Sequence, residues 1–285
     1  MKKLTIGSAV YDDFDGIFFS YQSIRLNNQD ILDDLDLIVV DNNPESAEGK
    51  ATLKFCLDAR INYIPITSNK STGLRNHVFK NSKASHTLCM DPHVLFEPNT
   101  IKNLINFYEQ NPESGDLHQG PLLMDIIKGH DPMTHMDPVW RSQMWGTWGI
   151  NPKGANAEGE PFDVPMQGLG VFSCKTDQWL PFNENFIGFG GEEGYIHEKF
   201  RQNKRRTLCL PFLRWIHRFG RPRGVPYPLR TEDRIHNYIV GFQELGLDLS
   251  PVINHFNQEV ANFSAKDFIK NIVSYREEFL KRNAK

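Results

Sequence analysis

Thr87-Leu88-Cys89-Met90-Asp91-Pro92-His93 is a short apolar run that leads directly into an acid and a histidine. The run has the length of a buried strand, and the Asp-Pro pair is typical of the turn that ends one. A carboxylate oxygen and an imidazole nitrogen two residues apart can face one divalent cation, and both atoms suit Mn²⁺. A surface turn without any ligand would give the same three residues.

Strand and helix patterns alternate along the first part of the chain. The predicted strands span residues 4–10, 37–40, 61–66 and 87–90, and the predicted helices span 17–24, 51–59, 72–82 and 101–108. This alternation predicts an α/β fold with a mostly parallel central sheet and flanking helices. Ligands of such sheets bind beyond the carboxyl ends of the strands. Aspartates follow three of these ends, as Asp13, Asp41 and Asp91.

The composition excludes several classes of protein. The chain has 285 residues, with 32 basic and 35 acidic side chains, which argues against a protein that coats nucleic acid. Its 20 Phe, 8 Tyr and 5 Trp supply core material, although the mean hydropathy is −0.48. We find no apolar run that could span a membrane and no signal peptide, so we expect a cytoplasmic protein. The four cysteines are far apart, which favours buried free thiols over a zinc cluster or disulfides.

The charge is unevenly distributed along the chain. Residues 199–234 hold eleven basic and two acidic side chains, a net charge of +9. The basic residues are Lys199, Arg201, Lys204, Arg205, Arg206, Arg214, Arg218, Arg221, Arg223, Arg230 and Arg234. Such a segment suits a phosphate-bearing ligand, and solvated helix faces explain it equally well.

The middle of the chain has little periodicity. We interpret residues 125–165 as a long loop or lid, in which Trp145 and Trp148 either stack on a sugar or form the core of the lid. A strand is predicted over residues 168–172 and a helix over 193–202. A final amphipathic helix is predicted from Ser264 onward, with Phe268, Ile272, Tyr275 and Phe279 on one face.

Two further motifs could carry chemistry. Gly190 and Gly191 allow close approach of the backbone to a ligand, and the adjacent carboxylates Glu192 and Glu193 could take different roles. The alternative is a glycine turn before a helix whose first residues are acidic. His217, among arginines, could be a third metal ligand or a structural histidine.

A pair at two neighbouring strand ends completes the candidates. Tyr11 could stack on a nucleobase and Asp41 could hydrogen-bond to it. A core tyrosine and an aspartate in a turn would give the same pattern.

In this order the motifs resemble those of GT-A glycosyltransferases of the family 2 type, with similarity to polypeptide N-acetylgalactosaminyltransferases. The resemblance covers about residues 3–228. It implies a GT-A domain over 1–228, with a nucleotide-binding half (1–98) and an acceptor half (115–228). Residues 229–285 fall outside it, and we expect a C-terminal helical extension there. Asp91, His93 and His217 match the family's metal ligands, which hold Mn²⁺ or Mg²⁺ on the diphosphate of a nucleotide-sugar.

The resemblance also assigns residues to the donor site. Gly73-Leu74-Arg75-Asn76 is similar to the stretch that precedes the metal motif, and Gln167-Gly168-Leu169-Gly170 resembles the family's glycine strand. The implied donor-binding residues are Ala9, Tyr11, Asp13, Asp41, Arg75, Asn76, Gln167, Gly168, Gly190 and Gly191. The opening strand lacks the family's Pro-x-Tyr-Asn, and the metal motif has histidine in place of its second aspartate.

The implied activity is transfer of a hexosyl or N-acetylhexosaminyl group from a nucleoside diphosphate sugar, with UDP as the expected nucleotide. Glu193 would be the general base of an inverting reaction, and Glu192 would orient a hydroxyl group. The acceptor could be a carbohydrate, a lipid-linked group or a protein, and an oligomer is possible. Three alternatives remain at this point. They are a binding module without turnover, a metal-dependent hydrolase, and a nucleotidyltransferase, whose early basic glycine-rich loop is missing from residues 7–20.

Overall fold

The computed structural model describes residues 2–68, 70–125, 131–221 and 224–283. Its strands are β1 (Leu4–Val10), β2 (Leu35–Asp41), β3 (Asn62–Pro65), β4 (His86–Met90), β5 (Val94–Phe96), β6 (Leu117–Gln119), β7 (Leu122–Met124), β8 (His135–Arg141), β9 (Met144–Gly149), β10 (Phe162–Asp163), β11 (Val171–Lys175), β12 (Thr207–Cys209) and β13 (Trp215–His217). Its α-helices are α1 (Phe14–Asn27), α2 (Ala47–Ala59), α3 (Asn76–Asn81), α4 (Thr100–Gln110), α5 (Glu193–Gln202), α6 (Thr231–Glu244), α7 (Ser250–Glu259), α8 (Ala265–Lys270) and α9 (Ile272–Asn283).

The central sheet has eight strands in the order β10-β12-β6-β11-β4-β1-β2-β3. Strands β4, β1, β2 and β3 run parallel to their neighbours in this group. Strand β11 is antiparallel to β4 and β6, and β10 is antiparallel to β12. The prediction of an α/β fold with a mostly parallel central sheet is therefore confirmed.

The core lies on both faces of this sheet. Ile38, Val39 and Val40 are fully buried, as expected for a parallel strand that is covered on both sides. Because side chains alternate along a strand, Val39 packs with the cluster under α1 and α2. Ile38 and Val40 pack instead with the cluster that contains Phe172 and Phe186.

Short polar residues start the first two helices. The Asp13 carboxylate accepts a hydrogen bond from the backbone N–H of Gly16, at the start of α1. The Ser46 hydroxyl does the same for Gly49, at the start of α2. Such caps satisfy backbone donors that have no partner within the helix. They fix where each helix leaves the carboxyl edge of the sheet.

A second sheet joins distant parts of the chain beside this edge. Strand β13 pairs with β5 in antiparallel fashion and with β7 in parallel fashion. In this register His217 lies opposite Val94, the residue that follows His93. The small sheet therefore brings the late histidine next to the end of β4.

Three predicted elements have different bounds in the structure. Residues 72–82 do not form one helix, because a 3-10 turn over Thr72–Arg75 precedes α3. The predicted strand over 168–172 begins only at Val171, as β11. The predicted single helix after Ser264 is divided into α8 and α9, because Asn271 leaves the helical conformation between them.

The middle of the chain is more regular than predicted. Strands β8 and β9 form an antiparallel hairpin within residues 125–165, where we predicted a loop, and residues 126–130 lie outside the described residues. A register shift between Asp137 and Trp140 interrupts the alternation that would have indicated a strand. The Trp145 N–H donates to the Tyr238 hydroxyl at 2.7 Å, so the hairpin is fixed to α6. Trp148 lies against Gly168 and the main core.

The C-terminal part of the chain is helical. Helices α6 to α9 enclose a cluster of their own, in which Ile235, Tyr238 and Phe256 are buried. Trp140 of the hairpin packs on this cluster, with its ring stacked 4.2 Å from that of His255. None of the helices in the described part of the chain has the length and apolar character needed to cross a bilayer.

Candidate metal and nucleotide site

A cavity of about 240 Å³ lies at the carboxyl edge of the parallel strands. Its walls come from the ends of β1 and β4, the segment around Arg75, Arg221, the segment 226–230 and the last turn of α9. This is the edge at which α/β sheets bind their ligands. The cavity is therefore the candidate functional site.

Three side chains with metal-ligating atoms meet at one end of this cavity. Asp91 follows β4, His93 precedes β5, and His217 ends β13. One ligand atom from each lies within 4.8 Å of the other two. The two histidine Nε2 atoms are 3.1 Å apart, and His217 Nε2 is 3.5 Å from Asp91 Oδ2. This set of two nitrogens and one carboxylate oxygen suits a divalent cation such as Mn²⁺.

The ring of His93 is held in one orientation. Its Nδ1 donates a hydrogen bond of 2.6 Å to Asp13 Oδ2, and Arg218 is 3.1 Å from the other oxygen of the same carboxylate. Burial lowers the pKa of His93, so the ring is neutral and its Nε2 lone pair faces His217. A carboxylate on the far nitrogen is the usual way in which proteins orient a metal-ligating histidine.

Arg75 connects the metal group to the two glutamates. Its guanidinium lies 3.2 Å from Asp91 Oδ1 and 3.3 Å from Glu192 Oε1, and the arginine is itself buried. Burial would raise the pKa of Asp91, but the hydrogen bond with His217 and the charge of Arg75 hold it well below its usual range. Asp91 is therefore ionised at neutral pH and available to a cation.

Glu192 and Glu193 lie at the start of α5. Burial, followed by the charge of Glu193, raises the pKa of Glu192 to about 8. Burial also raises the pKa of Glu193. The second oxygen of Glu192 is buried and has no hydrogen-bond partner among the described residues. Neither Glu192 nor Glu193 is among the residues that line the cavity.

The paired glycines shape the turn that precedes these glutamates. Gly190 and Gly191 have φ values of +98° and +92°, in the region that disfavours other residues. A Cβ on Gly190 would lie 2.7 Å from Arg234 Nε, so α6 packs directly on this backbone. The Asn237 amide donates to the Gly190 carbonyl at 2.9 Å. The glycines thus contact α6 and are not part of the cavity wall.

Tyr11 forms another part of the cavity wall. The Lys70 ammonium lies 5.6 Å from the centre of its ring, and Tyr227 meets the ring edge-on at 6.5 Å. Ala9 and Asp13 also line the cavity. An aromatic ring beside small side chains can accept the face of a nucleobase.

Four predicted donor residues lie behind this wall. Asp41 is buried and accepts hydrogen bonds of 2.8 Å from the Asn43 N–H and from the Tyr63 hydroxyl. Asn76 binds the Phe182 backbone and the Trp179 indole. Gln167 donates to the Gly120 carbonyl, and the carbonyl of Gly168 accepts from Gln119. These hydrogen bonds lie within the fold, although the buried Gln167 Oε1 has no hydrogen-bond partner among the described residues.

The basic segment divides between different surfaces. Arg218 and Arg221 reach the metal group, and Arg221 Nη2 is 2.5 Å from His93 Nε2. Arg206 instead pairs with Asp163 on the exposed surface. Arg223 lies outside the described residues. The segment therefore supplies positively charged side chains to the site, but fewer of them than its net charge of +9 suggests.

Sequence patterns missed several residues of the cavity wall. They are Lys70, Tyr227, Asp233, Phe279, Arg282 and Asn283. The amphipathic face of the last helix was the one available signal, and it indicated burial of Phe279 without showing what that face covers.

Comparisons with known proteins agree with this architecture. The sequence model for glycosyl transferase family 2 matches residues 21–123, which include β2, β3, β4 and α4. No curated protein sequence matches the chain.

Several solved structures are similar in fold. A crystal structure of GalNAc-T7 with UDP, GalNAc and Mn²⁺ matches with a TM-score of 0.67 at 13% identity. The match spans 96% of this chain and 57% of the GalNAc-T7 chain. The mannosyltransferase PcManGT from Pyrobaculum calidifontis, in complex with GDP-Man and Mn²⁺, has a TM-score of 0.56 at 12% identity. This match spans 97% of our chain and 75% of PcManGT. TarS 1-349 of S. aureus in complex with UDP has a TM-score of 0.54 at 14% identity, and the match spans 94% of our chain and 74% of the TarS chain.

The sheet order, the cavity at the carboxyl edge and these matches agree with one another. The chain has the GT-A glycosyltransferase fold.

Proposed function

We propose that the protein is a metal-dependent glycosyltransferase, which moves a sugar from a nucleoside diphosphate sugar to an acceptor hydroxyl. The observation that carries this proposal is the meeting of three metal-ligating side chains, of which Asp91 and His93 line the strand-end cavity and His217 lies against them. The structures of similar fold, which hold UDP or GDP-Man and Mn²⁺, support it. We assign 1–228 to the transferase domain and 229–285 to an extension.

Asp91, His93 and His217 would hold Mn²⁺ or Mg²⁺. The fit rests on their chemistry, since Asp91 is ionised and the two Nε2 atoms face each other at 3.1 Å. When bound, the ion stabilises the negative charge that develops on the leaving diphosphate. Asp13 holds the ring of His93 so that its Nε2 faces this position.

We assign the nucleoside to the end of the cavity formed by Ala9 and Tyr11. The ring of Tyr11 offers a stacking surface for the base. Asp41 acts by fixing the end of β2, since both its oxygens already accept hydrogen bonds. Gln167, Gly168 and Asn76 act in the same indirect way. UDP is the nucleotide that we propose, with a hexosyl or N-acetylhexosaminyl group as its sugar.

Glu193 is the general base in this proposal. A pKa raised by burial makes its carboxylate a stronger proton acceptor near neutral pH. It removes the proton of the acceptor hydroxyl while that oxygen attacks the anomeric carbon. The bond to the diphosphate breaks on the opposite face, so the configuration inverts. Glu192, with a pKa of about 8, is protonated at pH 7 and donates a hydrogen bond to a sugar hydroxyl.

A thermal-shift screen of UDP, GDP, CMP and dTDP, with and without Mn²⁺, tests the proposal. A ligand that binds the native state alone raises the melting temperature by mass action. We expect a metal-dependent shift with one nucleotide, followed by release of that nucleoside diphosphate when its sugar conjugate is turned over. No shift with any nucleotide, on folded protein, would contradict the proposal. Binding without turnover would indicate a binding module, and release of free sugar without any acceptor product would indicate a hydrolase.

A further inference from the structure

One face of the C-terminal helix α9 forms part of the cavity wall. Phe279, Arg282 and Asn283 line the cavity together with Tyr11 and Lys70 from the other end of the chain. The three residues have the i, i+3, i+4 spacing of one helix face. Phe279 is buried at 6% exposure, whereas Arg282 is exposed at the mouth.

A hydrogen bond to α6 fixes this face against the cavity. The Tyr275 hydroxyl donates to Asp233 Oδ1 at 2.6 Å, and the Arg282 guanidinium lies 5.8 Å from the centre of the Tyr275 ring. Asp233 in turn packs against the backbone of Gly188, where an added Cβ would lie 2.5 Å from its Oδ2. Helix α9 is therefore docked on elements that themselves line the cavity.

The charges at this end favour an anion. Lys70, Arg230 and Arg282 line it with Asp233 as the acid among them. One oxygen of Asp233 accepts a hydrogen bond from Tyr275, and the positive charges of Arg230 and Arg282 both act on this carboxyl. Within the described part of the chain, Arg282 has no salt bridge within 4.0 Å, and one of its N–H donors binds the Tyr275 hydroxyl. The remaining donors of its guanidinium are available to a ligand.

We propose that α9 completes the cavity wall beside Tyr11 and that Arg282 binds an oxygen of the phosphate that is bonded to the nucleoside. A guanidinium presents paired N–H donors whose geometry matches phosphate oxygens. Phe279 supplies the apolar floor beneath it. The inference rests on the proposed function, because it places a nucleotide in this cavity.

The test compares Arg282→Ala with Lys281→Ala by calorimetric titration with uridine, UMP and UDP in the presence of Mn²⁺. Lys281 is an exposed neighbour with the same charge and is not part of the cavity wall. We expect Arg282→Ala to weaken UDP binding about tenfold, or about 1.4 kcal/mol. Its affinity for uridine should equal that of the wild type, and Lys281→Ala should leave all three affinities unchanged.

Arg282→Lys adds a second comparison, since it keeps the charge and loses the paired donors. We expect it to recover part of the UDP affinity. Equal UDP affinity of Arg282→Ala and Lys281→Ala would overturn the inference. A loss that is the same for uridine and UDP would overturn it too, because that pattern indicates packing and not a phosphate contact. If the wild type binds none of the three ligands, the proposed function itself fails.

Discussion

The two ends of the cavity are built in different ways. The metal end consists of side chains at the ends of strands, with Asp91 after β4 and His217 in β13, and backbone pairing sets their positions. The α9 end consists of side chains from the C-terminal helices, such as Phe279 and Arg282. Hydrogen bonds between sheet strands fix the first end, while side-chain packing of these helices fixes the second.

This difference has a consequence for how each end responds to change. A substitution at the metal end removes a ligand atom that no neighbour replaces. A substitution at the α9 end changes one of several groups that share a wall, so its effect is graded. Substitutions at the metal end, and at the two glutamates near it, should therefore have more abrupt effects than substitutions at the α9 end.

Asp91→Asn should have the largest effect. It removes a charged oxygen from the metal group while keeping the shape of the side chain, so Mn²⁺-dependent UDP binding and sugar transfer should both be abolished. The loss should exceed the ~10–100-fold cost of removing an outer-shell partner of a metal. Calorimetric titration of UDP with and without Mn²⁺ measures it. The control is Asp177→Asn, an exposed aspartate, which should behave as the wild type. Full activity of Asp91→Asn would refute the metal assignment.

Glu193→Gln should reduce turnover by about 100-fold or more, the range typical of a lost general base. Because the amide cannot accept the proton, kcat should fall while the Kd of UDP stays close to that of the wild type. Glu198→Gln, on the same helix and paired with Arg201 at the surface, is the matched control. An equal fall in donor affinity would show that Glu193 binds substrate and does not act as the base.

Asp13→Asn should have a smaller effect, of about tenfold on Mn²⁺ affinity in the presence of UDP. Asparagine keeps the cap of α1 but loses the charge that orients His93 and pairs with Arg218. Mn²⁺ titration followed by electron paramagnetic resonance measures the free ion directly. Asp15→Asn, exposed in the first turn of α1, should leave the affinity unchanged. If the two variants bind Mn²⁺ alike, Asp13 does not position the ligand.

Glu192→Gln should have the smallest effect on donor binding, and its main result should be a pH-dependent change in the stability of the metal-free protein. Burial raises the pKa of Glu192 from 4.5 to about 8, so the unfolded chain loses this proton at lower pH than the folded protein. The wild type should therefore lose stability as pH rises through this window. Glutamine does not titrate. The melting temperature of Glu192→Gln, relative to that of the wild type, should therefore rise with pH up to about pH 8 and stay constant above it. A difference that is constant with pH would mean that Glu192 is ionised in the folded protein.

The metal end was largely predictable because its signals are local. An apolar run followed by Asp-Pro-His indicates a strand end by itself, and the order of motifs extends the prediction to His217. The bounds of the early strands and helices follow from the same kind of pattern. The fold prediction is confirmed for this reason, while the functional roles of the residues stay predictions.

The features of the fold and of the site that the sequence did not predict depend on contacts between distant segments of the chain. The sequence alone predicts that Asp41 binds a ligand. In the structure its Oδ2 accepts a hydrogen bond from the Tyr63 hydroxyl of the neighbouring strand. The sequence pattern did not predict the β8–β9 hairpin, because contacts with α6 through Trp145 and Tyr238 stabilise its strands. A single sequence gives no information on which helix faces will meet.

The docking of α9 also bears on how the protein is made. Tyr11 leaves the ribosome well before Phe279 and Arg282, which follow it by more than 260 residues. A nascent chain can form the strands and bring Asp91 and His217 together well before α9 exists. On this view, the nucleotide end of the cavity is its last part to be completed.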